Sequence, residues 1–252
     1  MSVDVPTTFL DLCQRLRREC GINGTGPSTV AAQVGEMARV VGWIQSAWID
    51  IQETHQDWEF FRGTISFPLD GIKTIWKLSD IQTASGVATF AANFSRWERD
   101  SFRNYQTSIG LNSEIFMEHV GYARWRDAYF YGALRGVFTR PIVMSIAPDK
   151  ALVFGPMGAS GYTVVGDFYT APQAFSGDND TPCSGLVAPA GSGNTIWPKQ
   201  HNMMIVYRAM MFYGAYENAA EIYNQGEREF KKMINRINAD RLPEIQGAGA
   251  LA

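Results

Sequence analysis

Residues 28–58 have the sequence STVAAQVGEMARVVGWIQSAWIDIQETHQDW, in which apolar and aromatic side chains recur at alternating intervals of four and three residues. The positions concerned are Val30, Val34, Met37, Val41, Ile44, Trp48, Ile51, His55 and Trp58. This spacing aligns side chains along one face of a helix, so we predict one helix from about Ser28 to Trp58, about 45 Å long. A coiled coil has the same spacing, but a seam that mixes Val, Met and Trp favours a helix of a bundle.

The C-terminal part of the chain repeats this spacing. The residues of the second seam are Tyr216, Ala219, Tyr223, Gly226, Phe230, Met233 and Ile237. Residues 203–216 are apolar almost all round, whereas the charged residues that follow fall mostly outside the seam. We therefore predict one helix from about His201 to Asn238, with its first half enclosed in a core and its second half facing water or a partner.

A shorter helix is predicted near the N-terminus. Thr8 followed by Asp11 is typical of a capping box, and Gly21 before an apolar residue is typical of a helix stop, so this helix runs from about Thr8 to Cys20. Cys13 and Cys20 then lie about 10 Å apart along the helix axis, which is too far for a disulfide. We expect both thiols to be reduced, as in the cytoplasm.

Between these helices the apolar period changes to that of strands. Residues 65–69 and 74–78 alternate on either side of Asp70-Gly71, which predicts a β-hairpin. A helical stretch is predicted at about 113–139 and cannot continue past Pro141.

Three short strands are predicted further along, at 142–146, 151–154 and 162–169. Residues 171–200 then contain Pro, Gly, Ser and Asp throughout. A loop of that length within a compact domain is either functional or part of an interface.

Together these elements predict an α+β fold, in which a helical bundle of long helices comes from the N- and C-terminal parts of the chain and a β-rich insertion lies between them. The N-terminal helical part comprises residues 1–61 and the insertion residues 62–200. Residues 201–252 add the long C-terminal helix to the same helical module. They end in a tail that we expect to be flexible, because Pro243 cannot continue a helix.

Composition excludes several classes of protein. The chain has 252 residues, 46% of them hydrophobic, and a net charge of −3. It is long enough to bury a core without disulfides or metal, and it lacks the basic excess of a free-standing nucleic-acid-binding protein. Its apolar runs are shorter than the roughly 20 residues that a bilayer requires, and the N-terminus lacks the pattern of a signal peptide.

No catalytic or metal-binding motif is evident. His55, His119 and His201 stand far apart, so no metal or cofactor site is predicted. Asp178-Asn179-Asp180 resembles the start of a calcium loop but lacks the glycine and the terminal glutamate of that motif. We expect instead a turn capped by its own carboxylates.

A basic-aromatic stretch, Tyr122-Ala123-Arg124-Trp125-Arg126, has the composition of a surface that stacks on nucleic-acid bases. However, Trp125 and Tyr129 share a helical face. The pattern therefore favours a core anchored by aromatic side chains, with arginines in water.

Four stretches, taken in order, resemble the head-to-tail adaptor (connector) proteins of short-tailed phages. They begin FLDLCQRLRREC at residue 9, SFRNYQTSIG at 101, LVFGPMGASG at 152 and IWPKQHNMM at 196. The second contains the Tyr-x-x-Trp-Arg sequence at 122–126 and ends in Arg140-Pro141. The chain departs from the family's pattern at residues 183–197, CSGLVAPAGSGNTIW, where its loop is longer.

The resemblance implies a virion structural protein without enzymatic activity or cofactor. Such adaptors form a twelve-fold ring beneath the portal protein and present the opposite face to the tail nozzle or tail-tube protein. Genomic DNA passes through the lumen of the ring. Two other classes remain open: another tail component, such as a tail-tube or nozzle protein, and a virion enzyme that degrades polysaccharide.

In the family that the chain resembles, the end of the chain reaches toward the portal. We therefore predict that the exposed half of the last helix and the segment Arg241–Ala252 form a protein interface. The candidate interface residues are Phe230, Met233, Ile237, Arg241, Leu242, Ile245 and Leu251.

Overall fold

A computed structural model describes residues 5–55, 57–87, 90–182 and 197–241 of the protein. The α-helices in these ranges are α1 (Phe9–Glu19), α2 (Gly35–Glu53), α3 (Leu78–Ser85), α4 (Phe90–Asn93), α5 (Tyr122–Trp125), α6 (Met203–Tyr216) and α7 (Ala220–Arg241). The strands are β1 (Arg62–Pro68), β2 (Ile75–Trp76), β3 (Phe94–Trp97), β4 (Arg103–Gln106), β5 (Ile115–Phe116), β6 (Glu118–His119), β7 (Phe138–Thr139), β8 (Val143–Ile146), β9 (Leu152–Gly155), β10 (Met157–Gly158) and β11 (Tyr162–Thr170).

The described residues fall into two compact units. The first, here the helical unit, comprises residues 5–60, 172–182 and 197–241 and contains α1, α2, α6 and α7. The second, here the β unit, comprises residues 61–171 and contains the strands together with α3, α4 and α5.

Helix α1 has the boundaries that its end residues predict. The Thr8 hydroxyl accepts a hydrogen bond from the Asp11 N–H, and the Asp11 carboxylate accepts one from the Thr8 N–H, which completes a capping box. At the other end Gly21 has a φ of +67°. The N–H of Gly21 donates to the Arg18 carbonyl and that of Ile22 to the Arg17 carbonyl, the pair of bonds that defines a Schellman stop.

Helix α2 is shorter at both ends than the predicted helix from Ser28 to Trp58, so that prediction is wrong. Positive φ angles at Ala32 and Gly35, of 52° and 60°, prevent the helix from starting earlier. The N–H of Val30 donates instead to the Asp178 carboxylate, at 2.6 Å. Within α2, Ile44, Trp48 and Ile51 of the predicted seam are buried.

The predicted continuous helix from His201 to Asn238 is also wrong, because the structure has two helices, α6 and α7. The chain turns at Asn218, whose φ is +54°. A Cβ atom on Gly214 would lie 2.8 Å from the Tyr223 backbone nitrogen, and one on Gly226 would lie 2.8 Å from the Tyr207 carbonyl oxygen. These two glycines let the helices pack backbone to backbone as an antiparallel hairpin.

In the β unit the longest strand, β11, lies at the centre of a five-stranded sheet. It pairs antiparallel with β1 along one side, and with β4 and β3 in succession along the other. Strand β5 forms the edge beyond β4. A second sheet has the order β2-β9-β8-β6, and β7 pairs with β10. The three strands predicted between 142 and 169 are confirmed as β8, β9 and β11.

The hairpin predicted around Asp70-Gly71 is wrong. The turn is present, since the Asp70 carboxylate accepts the N–H groups of Ile72 and Lys73. However, β1 pairs with β11 and β2 with β9, in different sheets. Residue 78, predicted to end the second strand, begins α3 instead.

The stretch predicted to be helical at 113–139 is helical only in part. Strands β5 and β6 occupy 115–119, because they pair with β4 and β8. Helix α5 is followed by one turn of π-helix at Arg126–Phe130 and a 3₁₀ segment at Gly132–Gly136.

The predicted fold class is therefore corrected. The chain is α+β, but its architecture is not a bundle of long helices with one β insertion, because strands in three sheets are spread through the middle of the chain among short helices. The predicted helices were too long because they were inferred from the four-and-three spacing of apolar residues. This spacing continues unchanged where the chain leaves a helix or turns into the next one.

Candidate interaction surfaces

Helix α7 contains all four of the predicted interface residues that the structure describes. Phe230 and Met233 are half-buried, while Ile237 is fully buried. The Arg208 guanidinium lies 5.6 Å from the centroid of the Phe230 ring and also pairs with Asp50 of α2, at 2.6 Å. Phe230 is thus partly engaged within the helical unit, and Ile237 fixes the position of the helix.

The other predicted interface residues lie at the end of α7 or follow it in the sequence. Arg241 is the last residue of the helix. Leu242, Ile245 and Leu251 lie outside the described residues, so their part of the predicted interface stays a prediction. Met233 lines a shallow cavity with His201 and Arg236, and this cavity lies within the helical unit.

The polar face of α7 has ion pairs formed along the helix itself. Lys231 pairs with Glu227 at 2.8 Å and Lys232 with Glu229 at 2.9 Å. Both lysines are more than half exposed, so solvent screens each pair and the pairs add little to stability. These charges remain accessible to a partner.

The acidic turn at 178–180 is a structural element. The Asp180 carboxylate accepts the N–H groups of Ser176 and Gly177, at 2.6 and 3.0 Å, together with the Ser176 hydroxyl at 2.7 Å. These hydrogen bonds hold the pKa of Asp180 below its ordinary value. The expectation that this turn is capped by its own carboxylate is confirmed for Asp180.

The same turn completes α1. The carbonyl of Asp180 accepts the N–H of Phe9 at 2.7 Å, and that of Asp178 accepts the N–H of Leu10 at 3.1 Å. Both N–H groups belong to the first turn of a helix, where no helical carbonyl is available. The turn therefore satisfies donors of α1.

The three histidines are in separate places. His55 makes an edge-to-face contact with Trp58, with ring centroids 5.0 Å apart, in the helical unit. His119 lies on β6, and burial together with Arg99 lowers its pKa. His201 is buried beside Trp197. Within the described ranges no three His, Cys, Asp or Glu side chains come close enough together to hold a metal ion.

The cysteines of α1 are free and buried. Burial, aided by the negative charge of Asp178, raises the pKa of the Cys13 thiol to about 12. Burial, aided by Glu19, raises that of Cys20 to about 12 as well. Neither thiol has the lowered pKa of a nucleophilic cysteine.

The basic-aromatic stretch at 122–126 is anchored as its helical pattern predicts. Trp125 is fully buried, its ring stacks with that of Tyr122, and its indole N–H donates to the Phe154 carbonyl at 2.9 Å. Arg124 and Arg126 are exposed.

Exposed apolar side chains are concentrated in one stretch of the sequence, a feature that the apolar periodicity does not predict. Of the ten large apolar or aromatic side chains that are exposed among the described residues, seven lie between residues 109 and 142. They are Ile109, Leu111, Phe116, Tyr131, Leu134, Val137 and Ile142. Periodicity could not reveal them, because only Phe116 lies in a strand and the others lie in turns, 3₁₀ segments and irregular stretches. Such a concentration of exposed apolar side chains makes this stretch a candidate for protein–protein contact.

Across the described ranges, no helix combines the length and apolar character needed to cross a bilayer. Residues 7–249 match the model of the protein family described as SU10 adaptor protein. No curated protein matches the chain.

Proposed function

Because the chain belongs to the SU10 adaptor protein family, we propose that it is a head-to-tail adaptor in the neck of a tailed-phage virion. The family match over residues 7–249, nearly the whole chain, carries this proposal. The family is one of structural adaptors, so we assign no catalytic activity to the protein.

In this function the protein assembles in the host cytoplasm as a twelve-fold ring beneath the portal protein. Its opposite face receives the tail nozzle or tail-tube protein. Genomic DNA leaves through the lumen without sequence-specific binding. A net charge of −3 on each copy supports such passage, because a mildly acidic wall does not retain a polyanion.

The portal-binding element is the end of the chain. We assign it to the exposed half of α7 and to the segment Arg241–Ala252. The half-buried Phe230 and Met233 support this assignment by leaving apolar surface on α7, and Ile237 supports it by holding the helix in place. Leu242, Ile245 and Leu251 supply apolar side chains beyond the helix.

Removing residues 242–252 tests this assignment. The deletion should leave the far-ultraviolet circular dichroism and the melting temperature unchanged, because it stops after the last residue of α7. It should weaken binding to the portal protein of the same phage and yield heads without tails.

A full-length variant serves as the matched control for the deletion. It replaces Leu242, Ile245 and Leu251 by Ser and keeps the length of the chain. If apolar contacts anchor the segment, this variant binds portal as weakly as the truncated protein. Binding of the truncated protein with the affinity of the full-length chain would place the portal contact elsewhere.

A further inference from the structure

Two exposed surfaces, one on each unit, have complementary charge and apolar character. The first is the basic segment, residues 124–137 of the β unit. It contains three arginines, Arg124, Arg126 and Arg135, against the single Asp127, and all four are exposed. It also carries Tyr131, Leu134 and Val137, which are 53%, 43% and 37% exposed.

The basic segment is held in a defined conformation. Trp125 fixes its start in the core, and the rings of Trp125 and Phe130 lie 5.6 Å apart. The Arg126 guanidinium lies 5.7 Å from the centroid of the Tyr131 ring. That of Arg135 lies 5.1 Å from the Phe130 ring. Among the described residues, no carboxylate pairs with any of the three arginines, so their charges are available to a partner.

The second surface is the acidic patch, formed by the start of α2 and the end of α6 in the helical unit. Glu36, Arg39 and Trp43 are spaced three and four residues apart and share one face of α2. Arg39 lies 4.7 Å above the Tyr216 ring, and Trp43 lies 5.7 Å from it. Glu217 follows Tyr216 directly and is exposed.

The two carboxylates of the acidic patch, Glu36 and Glu217, both raise the pKa of Tyr213. The pKa of Tyr213 is raised by burial first, and Cys20, Glu217 and Glu36 raise it further. Glu217, which directly follows α6, and Glu36 of α2 therefore lie near the same side chain. In the part of the chain that the structure describes, neither glutamate forms an ion pair. Val34, which directly precedes α2, is 82% exposed.

The basic segment and the acidic patch are two different surfaces of one chain. Neighbouring copies in a ring make contact through two such surfaces. A ring forms through heterologous contacts, in which one patch of each subunit meets another patch of the next. The basic segment and the acidic patch together contain five of the ten exposed large apolar and aromatic side chains of the described residues. Pairing them would bury this surface and would place the arginines of the basic segment against a patch in which two glutamates, Glu36 and Glu217, outnumber the single Arg39.

We propose that the basic segment of one copy docks on the acidic patch of a second copy and forms the lateral contact of the ring. Tyr131, Leu134 and Val137 pack against Val34 and Tyr216, and Arg126 and Arg135 face Glu36 and Glu217. This inference rests on the proposed ring but goes beyond it, since it names the surfaces that join neighbouring copies.

Charge reversal with rescue tests the contact. In the R126E/R135E variant, two new glutamates face Glu36 and Glu217 of the neighbouring copy. In the E36K/E217K variant, two new lysines face Arg126 and Arg135. Each should fold as the native chain does, because the four residues are exposed. Each should lower the yield of rings on the portal protein of the same phage by about tenfold or more, since like charges at an interface cost several kcal/mol.

The variant that combines all four substitutions restores opposite charges at every contact. It should recover rings, counted by electron microscopy of negatively stained mixtures with portal. Failure of this rescue would overturn the proposed contact if the native chain forms rings in the same experiment. If the native chain forms none, the ring itself is refuted.

A cross-link supplies an independent readout. In a chain whose Cys183 is replaced by Ser, the substitutions Leu134→Cys and Tyr216→Cys place one thiol on each surface. Oxidation of assembled rings should give a ladder of covalent multimers on a denaturing gel without reductant. Each single cysteine variant, as a control, should give none. Rings without a ladder, or loss of tail-protein binding with rings intact in R126E/R135E, would assign the basic segment to another partner and overturn the proposal.

Discussion

At the scale of single residues, the two cysteines of α1 link stability to alkaline pH. Each thiol has a pKa of about 12 in the folded chain, raised by burial from an ordinary value of 9.0. Above pH 9 the unfolded chain therefore releases protons that the folded chain keeps. The contribution of these thiols to stability is therefore complete only well below pH 9, and it is lost as the pH rises toward 12.

We predict that urea unfolding shows this loss. Between pH 8 and pH 10 the free energy of unfolding should fall by about 1 kcal/mol for each of the two thiols. A variant with Cys13 and Cys20 both replaced by Ala is the control. It starts from a lower stability, but its decrease over the same pH range should be smaller by about 2 kcal/mol. An equal decrease in both proteins would show that the thiols are not the cause.

Asp178 holds the segment that precedes α2 against a distant part of the chain. Its carboxylate accepts the Val30 N–H at 2.6 Å and the Thr29 hydroxyl at 3.1 Å. We predict that Asp178→Ala lowers the free energy of unfolding by about 1.5–3 kcal/mol, because hydrogen bonds to a charged group are lost. Glu221→Ala, which removes an exposed carboxylate from the first turn of α7, should lower stability by no more than about 1 kcal/mol. Chemical denaturation of both variants provides the comparison, and equal effects would contradict the role of Asp178.

At the scale of elements, the hairpin of α6 and α7 depends on glycine. Gly214→Ala would place a Cβ atom 2.8 Å from the Tyr223 backbone nitrogen and 3.0 Å from its Cα. Backbone atoms cannot move aside as a flexible side chain can. We predict a loss of about 1–3 kcal/mol, although alanine favours the helix itself by about 1 kcal/mol.

Gly42 in α2 is the matched control for this prediction. It has nothing within 4 Å of an added Cβ atom. Gly42→Ala should therefore stabilise the protein by up to about 1 kcal/mol, through helix propensity alone. Thermal unfolding of the two variants should shift in opposite directions. A stabilised Gly214→Ala variant would show that the two helices are not in close contact at this point.

The elements also show how far the sequence predicts the fold. Helix α1 could be predicted because its signals are local: Thr8, Asp11 and Gly21 lie at its ends. The conformation of the segment before α2 could not, because Asp178, which accepts the Val30 N–H, lies 148 residues away in the chain. The break between α6 and α7 could not be predicted either. Its only local sign is Asn218, a residue type that tolerates a positive φ, and the apolar seam continues past it without interruption.

Some of the candidate surfaces could be predicted from the sequence, and others could not. The composition of 122–126 and the apolar face of α7 were visible in the sequence. The acidic patch was not, because Arg39 and Trp43 meet Tyr216 only after α2 and α6 have packed. Pairing of β6 with β8 likewise joins residues that are 25 positions apart, as in Glu118 with Val143.

At the scale of the whole molecule, the proposed function requires that assembly follow an order. Rings that formed before the chain met the portal would assemble away from the neck of the virion. We therefore expect the free protein to be a monomer or a weak oligomer, and we expect the portal to template the ring. Contacts between charged surfaces suit this order, because they are weak singly and add up when neighbours are held side by side.

The most direct test of the adaptor function is the state of the protein with and without its portal. Light scattering of the isolated chain should give the mass of a monomer or a weak, concentration-dependent oligomer. Electron microscopy of the same protein mixed with portal should show a closed ring of adaptor copies seated on the portal. A stable dimer whose mass and shape do not change when portal is added would contradict the account.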